Sequence, residues 1–409
     1  MKRIAIKEVC EVYDGPHATP KKTDNGPVYL GIDAITEDGM LDPSQFAHLS
    51  EEDYVKWTKR VTPQENDIVF SYEATLGRYA VIPKNFYGCL GRRLAIVRII
   101  NDELNAKWLY YYFRSPEWTS FIKNQTVKGS TVDRISIEEF PEYTIPVISL
   151  EDQNKIVDVL DKIDRKIADN KKINDYLEEM AKTIYDYWFV QFDFPDKNGK
   201  PYKSSGGTFK NGLPIGWNYV PIKNICNILS GFSFQSDDYV QNGKYKLLTI
   251  KNVQDTGINL DVDNYINILP ENMPDFCKLD IGSILMSLTG NVGRVGILYD
   301  SNCLLNQRVS LMQAKNPIMT PFIYCLLKSS KMRYILESLA TGTSQKNLSP
   351  IEAGNIMIPY DSEIVKNFSK KVTPLIDSII TNLKENNNLT NLREWLLPML
   401  MNGQATIEN

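Results

Sequence analysis

IKEVCEVYDG, from Ile6 to Gly15, returns 216 residues later as IKNICNILSG, from Ile222 to Gly231, and this repetition decides how the chain is organised. At the same offset Ile68, Ser71, Gly77 and Arg78 of the window DIVFSYEATLGR fall on Ile284, Ser287, Gly293 and Arg294 of SILMSLTGNVGR. Further on the offset drifts to 213, where Gly129, Ser130 and Thr131 match Gly342, Thr343 and Ser344, and Ile145-Pro146 matches Ile358-Pro359. Independent windows agreeing at one offset are not coincidence, and small loop deletions account for the drift. The chain is two copies of one unit.

The repeat extends into two helical segments. The first carries Ile156, Leu160, Ile163, Ile167, Leu177, Ala181, Ile184 and Trp188 at spacings of three and four, with Asn170 and Asn174 filling the missing seam positions. The second, after Pro374, runs through Ile376, Ile379, Leu383, Leu389, Leu392 and Leu396, with a polar stretch from Asn386 to Asn388 at the corresponding place. Apolar stripes of this period are packing faces, so two such helices in one chain are expected to pair, with Leu160, Ile163, Ile167, Leu177, Ile184, Ile376, Ile379, Leu383, Leu392 and Leu396 as contacts. Thirty helical residues span about 45 Å. Buried Asn pairs cost stability and fix register, the role expected of them here.

Ahead of each helix the sequence is strand-like, with short runs such as AIVRII (Ala95 to Ile100) and YKLLTI (Tyr245 to Ile250) between turn residues. A shorter helix is expected around Trp108 to Phe121 and again around Phe322 to Leu339. Gly, Pro, Ser and Lys mark DFPDKNGKPYKSSGGTFKNGLPIGW, Asp193 to Trp217, as a linker. The expected fold class is therefore α+β. A mixed α/β domain over 1–148 precedes a central helix over 149–192 and a linker over 193–216, and a second domain over 217–360 precedes a helix over 361–402 and a tail over 403–409.

With 409 residues, 43% of them hydrophobic and 23% charged, the chain can bury two such cores. It has no run of about 18 apolar residues, and MKRIAIKEVC lacks the features of a signal peptide, so a cytoplasmic location and no membrane partner are expected. Six cysteines lie far apart with no C-x-x-C pair, and His17 and His48 are the two histidines, which favours buried free thiols over a metal site. A net charge of −4 argues against non-specific coating of nucleic acid. Residues 151–190 hold seven basic against ten acidic side chains, so most of that negative balance sits in one helix and DNA contact has to come from local patches.

Catalytic signatures are missing. The sequence holds no G-x-x-x-x-G-K-[ST] loop, no G-x-G-x-x-G after a strand and no Asn-Pro-Pro-aromatic run of the kind carried by amino-methyltransferases. Glycine-rich GNVGRVG, Gly290 to Gly296, reads as a tight turn rather than a phosphate cradle, since its counterpart TLGRYAV keeps one glycine and the arginine. What remains suits DNA: in the first unit Lys21, Lys22, Arg78, Arg92, Arg93, Lys128, Ser130, Thr131 and Arg134. In the second it is Lys244, Arg294, Asn306, Gln307, Arg308, Thr343, Ser344, Gln345, Lys346 and Asn347, with Lys246 and Lys251 nearby. Arg reads guanine, Asn and Gln read adenine, and Ser, Thr and Lys hold phosphates. For any single residue a solvated surface charge is an equal reading; recurrence in both units raises the group above its members.

Four stretches carry a family resemblance. GLPIGWNYVPIKNICNILSGFSF (Gly212 to Phe234) resembles the opening of a target-recognition domain in the specificity subunits of Type I restriction-modification enzymes, and GTSQKNLS (Gly342 to Ser349) the motif that closes one. IPVISLEDQNKIVDVLDKIDRKI (Ile145 to Ile167) and DYWFVQFDF (Asp186 to Phe194) resemble the start and the exit of that family's central spacer helix. Gly129-Ser-Thr-Val is a looser closing motif, and PYDSEIVKNF (Pro359 to Phe368) lacks the Glu-Gln pair at the second spacer. The resemblance implies two recognition domains held by an antiparallel pair of spacer helices with pseudo-two-fold symmetry. It also implies double-stranded DNA as ligand, two modification subunits using S-adenosylmethionine, restriction subunits using ATP and Mg, and no cofactor or catalysis in this chain. A stiff helix pair would then set the distance between half-sites. The rival readings are a helical scaffold and a two-domain enzyme with an unrecognised site; DNA binding with sequence preference separates them from a reader.

Overall fold

The computed structural model describes residues 2–129, 132–342 and 345–407. Ser130, Thr131, Thr343 and Ser344 lie outside the described residues. The chain divides into two compact units, and the division cuts both long helices. One unit holds the residues up to Arg165 together with those from Leu389 onward; the other runs from Lys166 to Asn388.

In the first unit an antiparallel sheet runs in the order Cys10–Asp14, Leu94–Ile99, Ile68–Ser71, Tyr79–Val81. A second sheet joins Ala47–His48, Thr23–Leu30 and Gly88–Leu90, the last pair parallel. Lys2–Ala5 pairs with Thr144–Val147, which returns the chain to its starting edge just before the central helix. The second unit repeats this plan with Cys226–Ser230, Val309–Ala314, Ile284–Ser287 and Val295–Ile297, and closes it with Asn218–Pro221 against Met357–Tyr360. Its other sheet centres on the parallel pair Tyr245–Leu248 and Cys303–Leu305.

Each expected short helix is two helices. Ala106–Phe113 stops before Ser115, whose hydroxyl accepts the Trp118 N–H while Pro116 opens Pro116–Gln125. A Ser cap followed by Pro restarts a helix in a new direction, so the break is written into Ser-Pro. In the second unit Ser329 caps Met332 between Thr320–Lys328 and Ser330–Leu339. The first turn-and-helix pair packs a fully buried aromatic core of Phe70, Trp108, Tyr112, Phe113, Trp118 and Phe140.

The central helix runs from Leu150 to Tyr185 and continues as a π-helical turn, Asp186–Val190; the C-terminal helix runs from Ser362 to Met401, through Pro374. The start of the central helix (Ile156, Leu160) shares a core with the end of the C-terminal helix (Leu397, Leu400, Met401) in the first unit. In the second unit Ala181, Tyr185 and Trp188 meet Phe368, Val372 and Ile376. Opposite ends meet, so the helices pair antiparallel. Leu160, Ile163, Ile167, Ile376 and Ile379 are buried, while Leu177, Ile184, Leu383 and Leu396 are half-buried against the cores. Leu392 departs from the expected seam: it is 43% exposed. The buried row in the last turns runs through Arg393, Leu397 and Leu400, and Arg393 Nη1 lies 2.7 Å from Asp164 Oδ1.

The seam asparagines bond across the pair. Asn170 Nδ2 donates to Asn386 Oδ1 at 2.9 Å and to Glu385 Oε2 at 2.7 Å, and Asn386 Nδ2 donates to the Ile167 carbonyl at 3.2 Å. Asn382 Nδ2 donates to Asn174 Oδ1 at 2.8 Å.

The segment that reads as a linker is folded. Phe194 stacks on Tyr202 and Trp217 with ring centroids 4.8 and 5.2 Å away, and the Asp193 carboxylate accepts from both the Ser204 N–H and its hydroxyl. Those two bonds hold the Asp193 carboxyl below the usual carboxylate range.

The glycine that ends the repeated decapeptide is sterically required in both copies. A Cβ on Gly15 would lie 2.6 Å from the Leu94 carbonyl oxygen, and one on Gly231 would lie 2.1 Å from that of Asn306. Gly231→Ala is therefore expected to cost about 1–3 kcal/mol as backbone shifts to make room. Gly31→Ala, where nothing lies within 4 Å, is expected to stay within about 1 kcal/mol. Urea denaturation of the two variants checks the contrast.

Candidate nucleic-acid interface

In each unit the second repeated window forms a hairpin braced from inside. Ser71 donates its hydroxyl to the Thr75 carbonyl and accepts the Arg78 N–H at 3.1 Å; Ser287 does the same with Asn291 and Arg294, again at 3.1 Å. Gly77 and Gly293 sit at φ +73° and +79°, a left-handed conformation that explains the glycine before each arginine. The Gly290 to Gly296 stretch is thus a turn between strands, as its sequence implied.

The hairpin tip gathers two further segments by backbone hydrogen bonds. Tyr72 N–H donates to the Arg93 carbonyl at 3.2 Å, and its own carbonyl accepts from Ile135 N–H at 2.8 Å. In the second unit Leu288 N–H donates to the Arg308 carbonyl at 3.1 Å and Gly290 N–H to that of Lys346 at 2.8 Å, while the Leu288 carbonyl accepts from Leu348 N–H at 2.9 Å. The closing motifs are pinched by reciprocal bonds, Val127 with Arg134 and Thr341 with Asn347. Arg93 and Arg308 occupy the same strained turn position, at φ +72° and +70°.

This frame brings most of the expected residues together. Arg92, Lys128 and Arg134 stand exposed around the first tip, and Gln307, Arg308, Gln345, Lys346 and Asn347 around the second. Arg93 is half-buried and leans toward Glu73, 3.5 Å away. Lys21 and Lys22 are exposed on the loop that leaves Gly15, whose N–H is bonded to the Leu94 carbonyl beside the same turn. Lys244 is exposed with its ammonium 5.0 Å over the Tyr245 ring.

Three expected contacts turn inward. Arg78 donates to the Ile35 carbonyl at 3.1 Å and to Glu37 Oε1 at 3.2 Å. Arg294 pairs with Asp255 at 2.8 Å. Asn306 is 8% exposed and spends its side-chain oxygen on the Gln307 N–H at 2.8 Å. Lys246 and Lys251 are likewise engaged, with Asp300 and Asp263, each at 2.8 Å. Residue type alone could not separate an arginine that faces solvent from one that ties two loops. The signal was present: IDAITEDGM, Ile32 to Met40, and IKNVQDTGI, Ile250 to Ile258, repeat at an offset of 218 and place Glu37 on Asp255.

Other chemistry is quiet. All six cysteines are free and buried, and burial pushes the thiols of Cys10, Cys89, Cys226, Cys303 and Cys325 up to about 12. Among the described residues no group of three or more His, Cys, Asp or Glu could hold a metal, and no helix is long and apolar enough to cross a membrane.

The Type I restriction modification DNA specificity domain matches residues 1–179 and again 214–391, once over each repeat. The chain belongs to this family. The MjaIX specificity subunit of Methanocaldococcus jannaschii is 26% identical over 369 residues, spanning 88% of this chain and 82% of that protein. The MjaVIII specificity subunit of the same organism is 27% identical over 368 residues, spanning 87% and 83%, and the HindI subunit of Haemophilus influenzae 22%, spanning 73% and 77%. The crystal structure of the S subunit from M. genitalium shares the fold, with a TM-score of 0.57 at 18% identity over 98% of this chain and 95% of that one. The two repeats are accordingly the DNA specificity domains of a Type I restriction-modification specificity subunit, and each presents one tip surface.

Removing charge at Arg92 and Lys128, or at Arg308 and Lys346, is expected to weaken DNA binding and lower the slope of log affinity against log salt by about one unit per lost phosphate contact. Salt titrations on duplex DNA read this directly; unchanged slope and affinity for all four would move the interface elsewhere.

Proposed function

We propose that this specificity subunit reads a bipartite duplex target, one half-site per unit, and assembles with two modification subunits and with restriction subunits that carry the chemistry. The observation behind this reading is one backbone frame built twice with different side chains at its tip. Gly91-Arg92-Arg93 occupies the place of Asn306-Gln307-Arg308, and Arg134 that of Asn347. A frame fixed by backbone bonds presents side chains at set positions, and changing the side chains changes which base edges they meet. Arginine favours guanine and the amides favour adenine, so two different tips suit two different half-sites.

Catalysis is assigned to the partners. S-adenosylmethionine would belong to the modification subunits, and ATP and Mg to the restriction subunits, with the assembled complex working in the cytoplasm, where it meets genomic DNA. This chain supplies no motif for any of these ligands. A local cationic tip on a chain of net charge −4 fits a reader whose grip on DNA is shared with partners.

Mapping of methylated adenines in the host genome is expected to give two short specific elements separated by unread base pairs. Exchanging residues 217–360 for the equivalent part of another specificity subunit is expected to change one element and leave the other. A single contiguous recognition sequence, or a change in both elements, would overturn the half-site assignment. Purified alone, the chain is expected to show neither methyl transfer nor ATP hydrolysis, both appearing on reconstitution.

A further inference from the structure

Arg78 and Arg294 are the most visible repeated side chains, yet both guanidinium groups face inward. Arg294 Nη2 lies 2.8 Å from Asp255 Oδ2, and Asp255 is itself held by Arg333 Nη1 at 2.6 Å. That second bond, ahead of the charge of Arg294, holds the Asp255 carboxyl below the usual carboxylate range. Arg294 therefore reaches an anion already fixed in place. Arg78 reaches Glu37, 88% exposed and less constrained, and compensates by bonding the Ile35 carbonyl as well. In both arginines Nε is buried without a partner, so each side chain forgoes a hydrogen bond that water would supply. The same cost at the same position of both units marks a geometric requirement.

The main chain of each arginine shows what that requirement is. Arg294 N–H bonds Ser287 Oγ at 3.1 Å, and its carbonyl accepts from Ser287 N–H at 3.0 Å, which fixes it at the base of the hairpin. Its side chain then ties that base to the turn between Val253–Gln254 and Gly257–Ile258. Leu288 and Gly290, at the tip of the same hairpin, carry the turn of Arg308 and the closing segment of Lys346. We infer that Arg294, and Arg78 in the first unit, are positioning residues: without touching DNA, they lock the hairpin against its neighbouring loop at the angle that presents the reading side chains. This rests on the DNA-reading function of the two tips.

A positioning role and a phosphate contact part company at the acid. If Arg294 held a phosphate, Asp255→Asn would free it and leave binding intact or tighter; if Arg294 positions, Asp255→Asn reproduces Arg294→Gln. The full chain, tag-purified from its host with the subunits it carries, is offered a pool of randomised duplexes, and the enriched bases are read at each half-site over a series of salt concentrations. R294Q and D255N are each expected to flatten base preference at one half-site by about tenfold, with the other half-site and the salt slope unchanged. The double variant is expected to be no worse than the poorer single one. Intact preference in the other half-site reports that the variant is folded. Should R294Q fail to fold, D255N, whose carboxylate is 52% exposed, is judged alone by the same two criteria. A slope lowered by about one unit in R294Q with preference intact in D255N would make Arg294 a phosphate contact. Full preference in every variant would leave the brace without a role in reading. Wild-type protein with no preference at either half-site would instead defeat the DNA-reading function itself, a separate result.

Discussion

Leu397, Leu400 and Met401, from the last turns of the C-terminal helix, are buried in the same core as Ile6, Trp108 and Leu160 from the beginning of the chain. Everything else in the first unit depends on that exchange. Burying one such side chain contributes about 1.5–3 kcal/mol, so three supply about 5–9 kcal/mol, comparable with the whole net stability of an ordinary domain. The second unit is built the same way, with Tyr185 and Trp188 of the central helix completing the core that Phe368 and Ile376 of the C-terminal helix begin. Neither repeat is therefore a free-standing copy, although the sequence reads as two. A chain cut between the repeats would leave each unit without part of its core.

Apolar stripes alone would let the two helices slide by a turn, because one buried Leu or Ile replaces another at little cost. The polar residues in the seam remove that freedom. Asn170 donates to Asn386 and Glu385, and Asn382 donates to Asn174, in the register observed; sliding the helices breaks these pairs, at about 1–3 kcal/mol for each buried group left unsatisfied. Matched, each bond returns about 1 kcal/mol, less than an aliphatic pair would, so their contribution is to register rather than to stability. In the first unit Asp164 plays the corresponding part, accepting from Tyr111 Oη at 2.8 Å and pairing with Arg393. Burial, then the neighbouring carboxylate, pushes the Tyr111 hydroxyl far above its ordinary range, so it remains a donor at any physiological pH.

How much of this was legible follows from which interactions are local. The duplication, the two long helices and the buried asparagines are carried by period and repetition, and the sequence displays both. Leu392 reads as a seam residue because it continues a row of leucines, whereas the spacing of three and four set by Ile376, Ile379, Leu383 and Asn386 runs on through Arg393, Leu397 and Leu400, and the charge this puts in the seam is met by Asp164, 229 positions away. The folded segment between Asp193 and Trp217 reads as a linker because glycine, serine and lysine dominate its composition, whereas four widely spaced aromatics, Phe192, Phe194, Tyr202 and Trp217, decide its structure. Arg78 and Arg294 read as DNA contacts because arginine suits base edges and the two recur at one offset in both units. The acid that turns each one inward lies in a further repeated window, at an offset of 218, weaker than the two at 216.

The division between frame and tip explains how one architecture can serve two readings. Frame positions are intolerant for reasons visible atom by atom: Gly15 and Gly231 face carbonyl oxygens, and Ser71 and Ser287 each hold both a carbonyl and an N–H of the hairpin. Tip positions are exposed, and exposed substitutions away from such features change stability by about 0.5 kcal/mol or less. Arg92 can stand where Gln307 stands in the other unit, and Arg134 where Asn347 stands, because the backbone bonds that place them do not involve their side chains. The energy that folds each unit and the contacts that would discriminate bases are carried by different atoms, so base preference can diverge between the two tips while the fold beneath them stays the same.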